Sequence, residues 1–259
     1  MNLAHAVFAV GAIAGPGLTA AFLARGAAWQ LLYPAAAALL AALAVFTLAF
    51  RFPRDVRGLA APGDHAGHGA LTFLRREPLL ILLTLLVFLY VGSELGTSNW
   101  ISEYFVASLG LPAPRAAFAV SVLWAGLLAG RLVISFAWHG QRHERLVLVL
   151  AAAGTIALPA LLAARTPWLA FALVFVAGVG LSGIYPLGIS LTGQHFGTGM
   201  AVGIVTMGGG IGSFIFPFLM SGIAQAVGLR GGFLLFAAVT LLLVVTALLI
   251  GRLVRARVG

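Results

Sequence analysis

Runs of about 20 apolar residues, broken by short stretches of Gly, Pro and Arg, recur along the whole 259-residue chain, and that repeat leaves few folds open. An α-helix needs about 20 residues to cross ~30 Å of hydrocarbon at ~1.5 Å rise per residue. Membrane-spanning strands would instead give segments of ~10 residues with alternating polarity, and only a helix satisfies its own backbone over runs this long. Charged residues make up 8% of the chain, against ~25% in soluble domains, so a water-facing surface cannot be built. The sequence predicts an all-α, multi-pass membrane protein with spans at residues 3–24, 29–50, 79–104, 114–138, 146–164, 168–192, 198–226 and 233–251.

The formal charge of +9 would suggest nucleic acid only on a folded domain with a basic face, and the runs leave no room for one. Cys is absent, which excludes disulfides, thiolate metal sites and Cys nucleophiles. Eleven of the fifteen arginines fall on one side of the eight spans, at 51–76, around 131–145 and at 252–257. The rest, Arg25, Arg115, Arg165 and Arg230, stand one per connection on the other side. The arginine-rich side is expected to be cytoplasmic, which places both chain ends there in a cytoplasmic (inner) membrane. Met1–Leu3 enter an apolar span with no basic flank, unlike a signal peptide; residues 1–24 therefore read as a true span whose upstream neighbours are absent.

Spans two, five and eight are nearly free of glycine and carry only threonines in mid-span, such as Thr47, Thr155, Thr240 and Thr246. The other five are glycine-rich and hold His5, Glu94, Asn99, Arg131, Tyr185 and Thr206. Small residues let helix backbones approach closely, and polar groups at membrane depth face protein or a wet cavity. Every third span is therefore expected outermost as lipid-facing scaffold. One long connection, 51–77, has two spans before it and six after. The implied organisation is 1–50 as two helices of an incomplete N-terminal half, 51–77 as a cytoplasmic linker, and 78–259 as a six-helix C-terminal half.

This arrangement resembles the major facilitator superfamily, whose twelve spans form two six-helix halves joined by a long cytoplasmic loop, with every third helix peripheral. Gly11-Ala-Ile-Ala-Gly15-Pro16-Gly17 is similar to the glycine-proline motif on the fifth helix of many members, and Trp124-Ala-Gly126-Leu-Leu-Ala-Gly130-Arg131 to a pattern of the eighth. Asn2, His5, the Gly-Pro pair and Tyr90-Val-Gly-Ser-Glu94 look most like the fucose and glucose/galactose permease branch. The resemblance implies a secondary transporter moving a small polar solute, a sugar being the class it suggests, with four N-terminal helices missing. In proton-coupled sugar members of that branch the protonatable carboxylates lie on helices one and four, which this sequence lacks. Efflux of a drug or metabolite by the same fold, and a nonfunctional fragment, stay open.

Glu94 is the one acidic residue well inside a span, and it is placed past the midplane toward the outer side. Tyr90, Glu94, Thr97 and Ser98 follow i, i+4, i+7, i+8 spacing and share a helix face. A carboxylate there costs roughly 2.5 to 3.5 kcal/mol on insertion scales, so either it lines a transport pathway or it makes a structural pairing between helices. The candidate solute-binding set is Tyr90, Glu94, Ser98, Asn99, Trp124, Tyr185 and Thr206. Asn99 and its neighbour Trp100 fit an interfacial belt equally well. Trp124 lies too deep for such a belt and either stacks on solute or packs in the core. Arg131 reads as a gating or helix-end structural residue able to snorkel to headgroups. Tyr185-Pro186 and Thr206 with Gly208–Gly210 mark either bends that free backbone carbonyls toward a cavity or, for the glycines, packing alone; Pro16 and Pro186 read as gating or structural residues.

Three further signals are read as decoys. Gly178-Val-Gly180-Leu-Ser-Gly183 matches the G-x-G-x-x-G dinucleotide fingerprint but lies in an apolar span, without the strand and helix N-terminus the chemistry requires. The pairs His65/His68 and His139/His143 have metal-compatible spacing but read as solvated loop residues. No cofactor or metal is expected. An intramembrane enzyme would need clustered acids, paired Asp, or Ser with His at depth, and the spans hold a single deep carboxylate, so no catalytic residue is assigned. The expected partners are the solute and the lipid bilayer, with the missing N-terminal helices if the chain is active.

Overall fold

The computed structural model of the protein describes residues 2–26, 28–50, 68–137 and 143–258, and the regular structure in them is entirely helical. In chain order the elements are α1 (Asn2–Ala24), a 3-10 turn (Trp29–Leu31) running into α2 (Leu32–Ala49), α3 (His68–Arg76), α4 (Pro78–Leu109), α5 (Ala113–Ala137), α6 (His143–Ala163), α7 (Pro167–Leu181), α8 (Ile184–Phe196) and α9 (Gly199–Val258). Among the described residues, six helical stretches are long and apolar enough to cross a membrane, and α1 contributes a shorter apolar stretch, Val10–Ala24.

Proline and glycine set the boundaries. Pro78 and Pro167 occupy the first turns of α4 and α7, where the missing N–H has no helical partner to lose. Gly110 and Gly197 close α4 and α8 in the left-handed region, at φ 65° and 61°, which a Cβ disfavours. As one rod, the 60 residues of α9 would run about 90 Å. At Gly228 the backbone leaves helical geometry (φ 80°, ψ 165°), dividing α9 into arms 199–227 and 229–258. The sixth expected span is likewise two helices, α7 and α8, separated at Ser182-Gly183.

Three expectations change. The linker does not stay irregular up to residue 77: α3 occupies His68–Arg76, too short to span, with Phe73 set edge-on against Phe196 at 5.8 Å. α4 continues to Leu109, beyond the expected span end at 104, which puts Glu94 at the midpoint of the helix. Outermost position holds fully only for α2, which buries no residue. Span five, α6, buries Val147, Ala151, Gly154, Leu158 and Leu161 against its neighbours, and its Thr155 hydroxyl reaches the Thr240 carbonyl of the last arm at 2.7 Å. An apolar helix can face lipid on one side and pack on the other, so glycine content alone does not sort them. Thr47 and Thr246 donate to carbonyls of their own helices, which makes a mid-span threonine compatible with an apolar face.

Glycines carry the close packing. A Cβ on Gly178 would run into the Leu123 carbonyl of α5, one on Gly126 into the Phe175 carbonyl of α7, and one on Gly180 into the Gly154 backbone of α6. The letters of the nucleotide fingerprint are thus a two-sided packing surface, α5 on one flank and α6 on the other. On α9, Gly208 and Gly212 seat against the Thr84 and Phe88 carbonyls of α4. Gly193, by contrast, has open space around it. Gly178→Ala is expected to cost about 1–3 kcal/mol through overpacking, and Gly193→Ala to be neutral or mildly stabilising. Thermal unfolding of the detergent-solubilised protein checks this; equal effects at the two positions would contradict the packing account.

Candidate functional site

The polar residues of α4, α5 and α8 meet halfway along the bundle. Because α4 and α5 run antiparallel, residue pairs with roughly constant summed number face each other: Trp124 Nε1 donates to Ser98 Oγ at 3.0 Å, and one turn back along α4, two turns on along α5, Arg131 Nη2 lies 3.6 Å from Glu94 Oε1. The same nitrogen stands 3.5 Å from the Tyr90 hydroxyl. Arg131 Nε donates to the Ser182 carbonyl at 3.0 Å.

That last bond follows from the sequence of α8. Pro186 has no N–H to give the carbonyl four residues back, and its ring pushes that turn aside. The residue four back is Ser182, at the break between α7 and α8. The expected bend therefore falls one turn ahead of Tyr185-Pro186, and the carbonyl it frees is the one Arg131 takes. Arg131 does not snorkel outward; its guanidinium ties α5 to α4 and to the break between α7 and α8.

A cavity of about 300 Å³ opens beside this cluster, lined by Tyr90, Val91, Glu94, Leu95, Trp124, Arg131 and Tyr185. Five of those are residues singled out from the sequence. Tyr90 and Tyr185 face each other with ring centroids 6.3 Å apart. Ser98 holds the Trp124 indole and lines no part of the cavity. Thr97, on the same predicted face, is buried with its hydroxyl unpartnered among the described residues, as are Ser93 Oγ and Arg131 Nη1.

Two members of the predicted set lie elsewhere. Asn99 is exposed: one residue past Ser98, it is turned ~100° from the cavity face. Thr206 is exposed too, because Gly208 faces α4 and a residue two positions away points to the opposite side. Pro16 stands where α1 crosses α5, and there the Ser121 hydroxyl donates to the Ile13 carbonyl at 2.9 Å. The side chains of Asn2 and His5, with His65, His68 and His139, lie outside the described residues. His143 is not solvated loop: its Nδ1 sits 3.4 Å from Ser190 Oγ and 3.2 Å from Gln194 Nε2 of α8.

Sequence reasoning did not find a second cavity of about 200 Å³, which shares Arg131 and Tyr185 with the first and extends past Ser135, His143 and Ser190. The available signal was Ser190 and Gln194 at i, i+4 on α8. This cavity lies toward the end of the bundle where the helix after the linker, the end of α8 and the chain terminus meet: Arg257 Nη2 bonds Glu77 Oε2 at 2.7 Å, and its guanidinium lies 5.9 Å from the Phe196 ring centroid.

The family model of the Major Facilitator Superfamily matches residues 135–258. A TsgA homolog of Edwardsiella ictaluri is 26% identical over 193 residues, 73% of this chain and 46% of that protein. Bypass of stop codon protein 6 of Saccharomyces cerevisiae is 25% identical over 174 residues, covering 61% of this chain and 34% of its own length. The E. coli fucose:proton symporter FucP superposes with TM-score 0.65 at 18% identity, over 85% of this chain and 55% of the symporter; its outward conformation gives 0.66. The resemblance read from the residues is borne out, with the symporter likeness carrying the fold alone. The chain spans under half the length of these curated relatives.

The pair geometry predicts that charge alone will not replace Arg131. Lys keeps the charge but not the fork that reaches Ser182 and Glu94 together, so Arg131→Lys is expected to lose about 1–3 kcal/mol. Arg131→Met, which strands Glu94 without a counter-charge, is expected to lose about 3–5 kcal/mol. Unfolding midpoints in detergent check the order; Arg131→Lys matching wild type would show that the fork is not used.

Proposed function

We propose that this chain is part of a secondary transporter of the major facilitator kind, which moves a small polar solute across the cytoplasmic membrane by alternating access. The observation that carries this reading is the cavity at the midpoint of α4, where Glu94, Arg131, Trp124, Tyr90 and Tyr185 converge. A charge pair left open to a cavity at membrane depth is costly, and its value lies in handling something polar there. Major facilitator transporters place solute between two helical halves near the midplane.

In this reading α1 and α2 belong to one half and α4 to α9 to the other, with α9 crossing twice about Gly228 so that the chain makes eight crossings. The linker and the C-terminal tail share the cytoplasmic face, which the Arg257–Glu77 bond supports by joining them at one end. Since the match covers under half of the curated relatives' length, the facing wall of the cavity is assigned to helices that those proteins carry in addition.

The symporter's name makes a sugar the first solute to try. Glu94 would accept hydrogen bonds from solute hydroxyls, Arg131 would donate to ring or hydroxyl oxygens, and the rings of Trp124 and Tyr185 would meet the C–H face. Among the described residues Glu94 is the membrane-depth carboxylate, and its pairing with Arg131 supports a binding role over a proton-carrying one, because the counter-charge favours the ionised, accepting form.

Uptake of radiolabelled fucose, galactose and glucose, by cells expressing the chain or a longer protein containing it, tests the assignment with Glu94→Gln. The substitution is expected to raise half-saturation at least tenfold and leave the pH profile of uptake nearly intact. Counterflow that survives while accumulation is lost would move Glu94 to a proton-carrying role. Affinity, rate and pH profile all unchanged would leave it only structural.

A further inference from the structure

The two cavities meet at one side chain. The larger holds Glu94 and Trp124; the smaller runs from Arg131 toward the end of the bundle that carries Glu77, Phe196 and Arg257, past Ser135, His143 and Ser190. Arg131 and Tyr185 line both, so the two compartments adjoin at those side chains. Leu132 and Ser135 are exposed, so the smaller cavity opens outward at its rim.

The bonds of Arg131 are unequal. Its Nε contact to the Ser182 carbonyl is 3.0 Å, an ordinary hydrogen-bond length, and the acceptor is held by the helix break that Pro186 enforces. The Nη2 contacts to Glu94 and Tyr90, at 3.6 and 3.5 Å, lie beyond the usual range of about 2.7–3.2 Å. Nη1 is buried and unpartnered among the described residues. The guanidinium thus has a firm pivot at the break between α7 and α8, a loose grip on α4 and its Nη1 unused.

We propose that the smaller cavity is the vestibule through which solute reaches or leaves the Glu94 site from the linker-bearing face, and that Arg131 is the gate between the two compartments, pivoting on the Ser182 carbonyl. This rests on the larger cavity being a solute site. The solute class that opens the gate carries both an acceptor for Nη2 and a donor for Glu94, because such a molecule replaces the loose contacts of Nη2 and leaves the firm one of Nε in place. The Ser135 and Ser190 hydroxyls and His143 supply hydrogen-bonding groups along the way, among the apolar walls of Leu128, Leu132 and Leu187.

The absence of native cysteine allows a direct test in the full chain. Single cysteines at Ser190 (vestibule), Leu95 (far side of Arg131) and Gly110 (opposite end of the bundle, as control) are labelled in oriented vesicles with a charged, membrane-impermeant methanethiosulfonate applied from the linker-bearing face. Ser190→Cys is expected to react at least tenfold faster than Leu95→Cys, and Gly110→Cys to react only from the other face. Adding Arg131→Ala is expected to raise the Leu95→Cys rate tenfold or more and to change Ser190→Cys less than twofold. If Arg131→Ala does not fold, Glu94→Gln removes part of the loose grip alone and is expected to raise the Leu95→Cys rate at least threefold.

Leu95→Cys reacting as fast as Ser190→Cys with Arg131 intact, or staying as slow in the folded variant, would overturn the gate. Failure of Ser190→Cys to react from that face would overturn the vestibule. Labelling needs no solute, so gated labelling without uptake of any sugar would count against the transport assignment and not against the gate.

Discussion

Two opposite charges in the middle of an apolar bundle constrain everything around them. Either alone would cost roughly 2.5 to 3.5 kcal/mol on insertion scales; together, Glu94 and Arg131 neutralise each other across α4 and α5. The pairing demands that α5 lie antiparallel to α4 in one register, a register repeated by the Trp124–Ser98 bond. It also demands a third acceptor for the guanidinium, and Pro186 supplies one by breaking the span into α7 and α8 and freeing the Ser182 carbonyl. Glycines at 126, 178 and 180 then bring α5, α6 and α7 close enough for that carbonyl to be within reach.

The fold was legible because its signals are local. Apolar run lengths gave the helices, and proline and glycine gave most of their ends. Tyr185-Pro186 announced a bend and a free carbonyl, since a missing N–H is a property of one residue. What stayed hidden depends on which way a helix turns. Asn99 and Thr206 lie outside the described cavity because they are on other faces of their helices, and face is fixed by what the glycines of α4 and α9 press against. Arg131 looked like a helix-end residue because its distance along α5 was visible while its partner on another helix was not. The second cavity is formed between α5, α6 and α8, so no single run of sequence describes it; α3 escaped notice because nine residues with two terminal arginines do not look like a span.

The same geometry separates structure from chemistry in the decoy motif. Gly178, Gly180 and Gly183 match a phosphate-binding pattern letter for letter, yet each contacts a neighbouring helix, which leaves no exposed helix N-terminus for a phosphate. Glu94, by contrast, keeps a cavity at its side while paired. The structural and the functional readings of that residue are therefore joined: the pairing makes a carboxylate tolerable at membrane depth, and the looseness of the pairing leaves it available to a solute.

The pairing itself is tested most directly by exchanging the charges. Glu94→Arg and Arg131→Glu each place like charges together and are expected to lower the unfolding midpoint of the detergent-solubilised protein sharply. The double exchange restores attraction while forfeiting the Ser182 bond, and is expected to recover at least half of the loss shown by the worse single variant. Losses that simply add in the double variant would contradict a direct Glu94–Arg131 interaction, and with it the account of how these helices are held around the cavity.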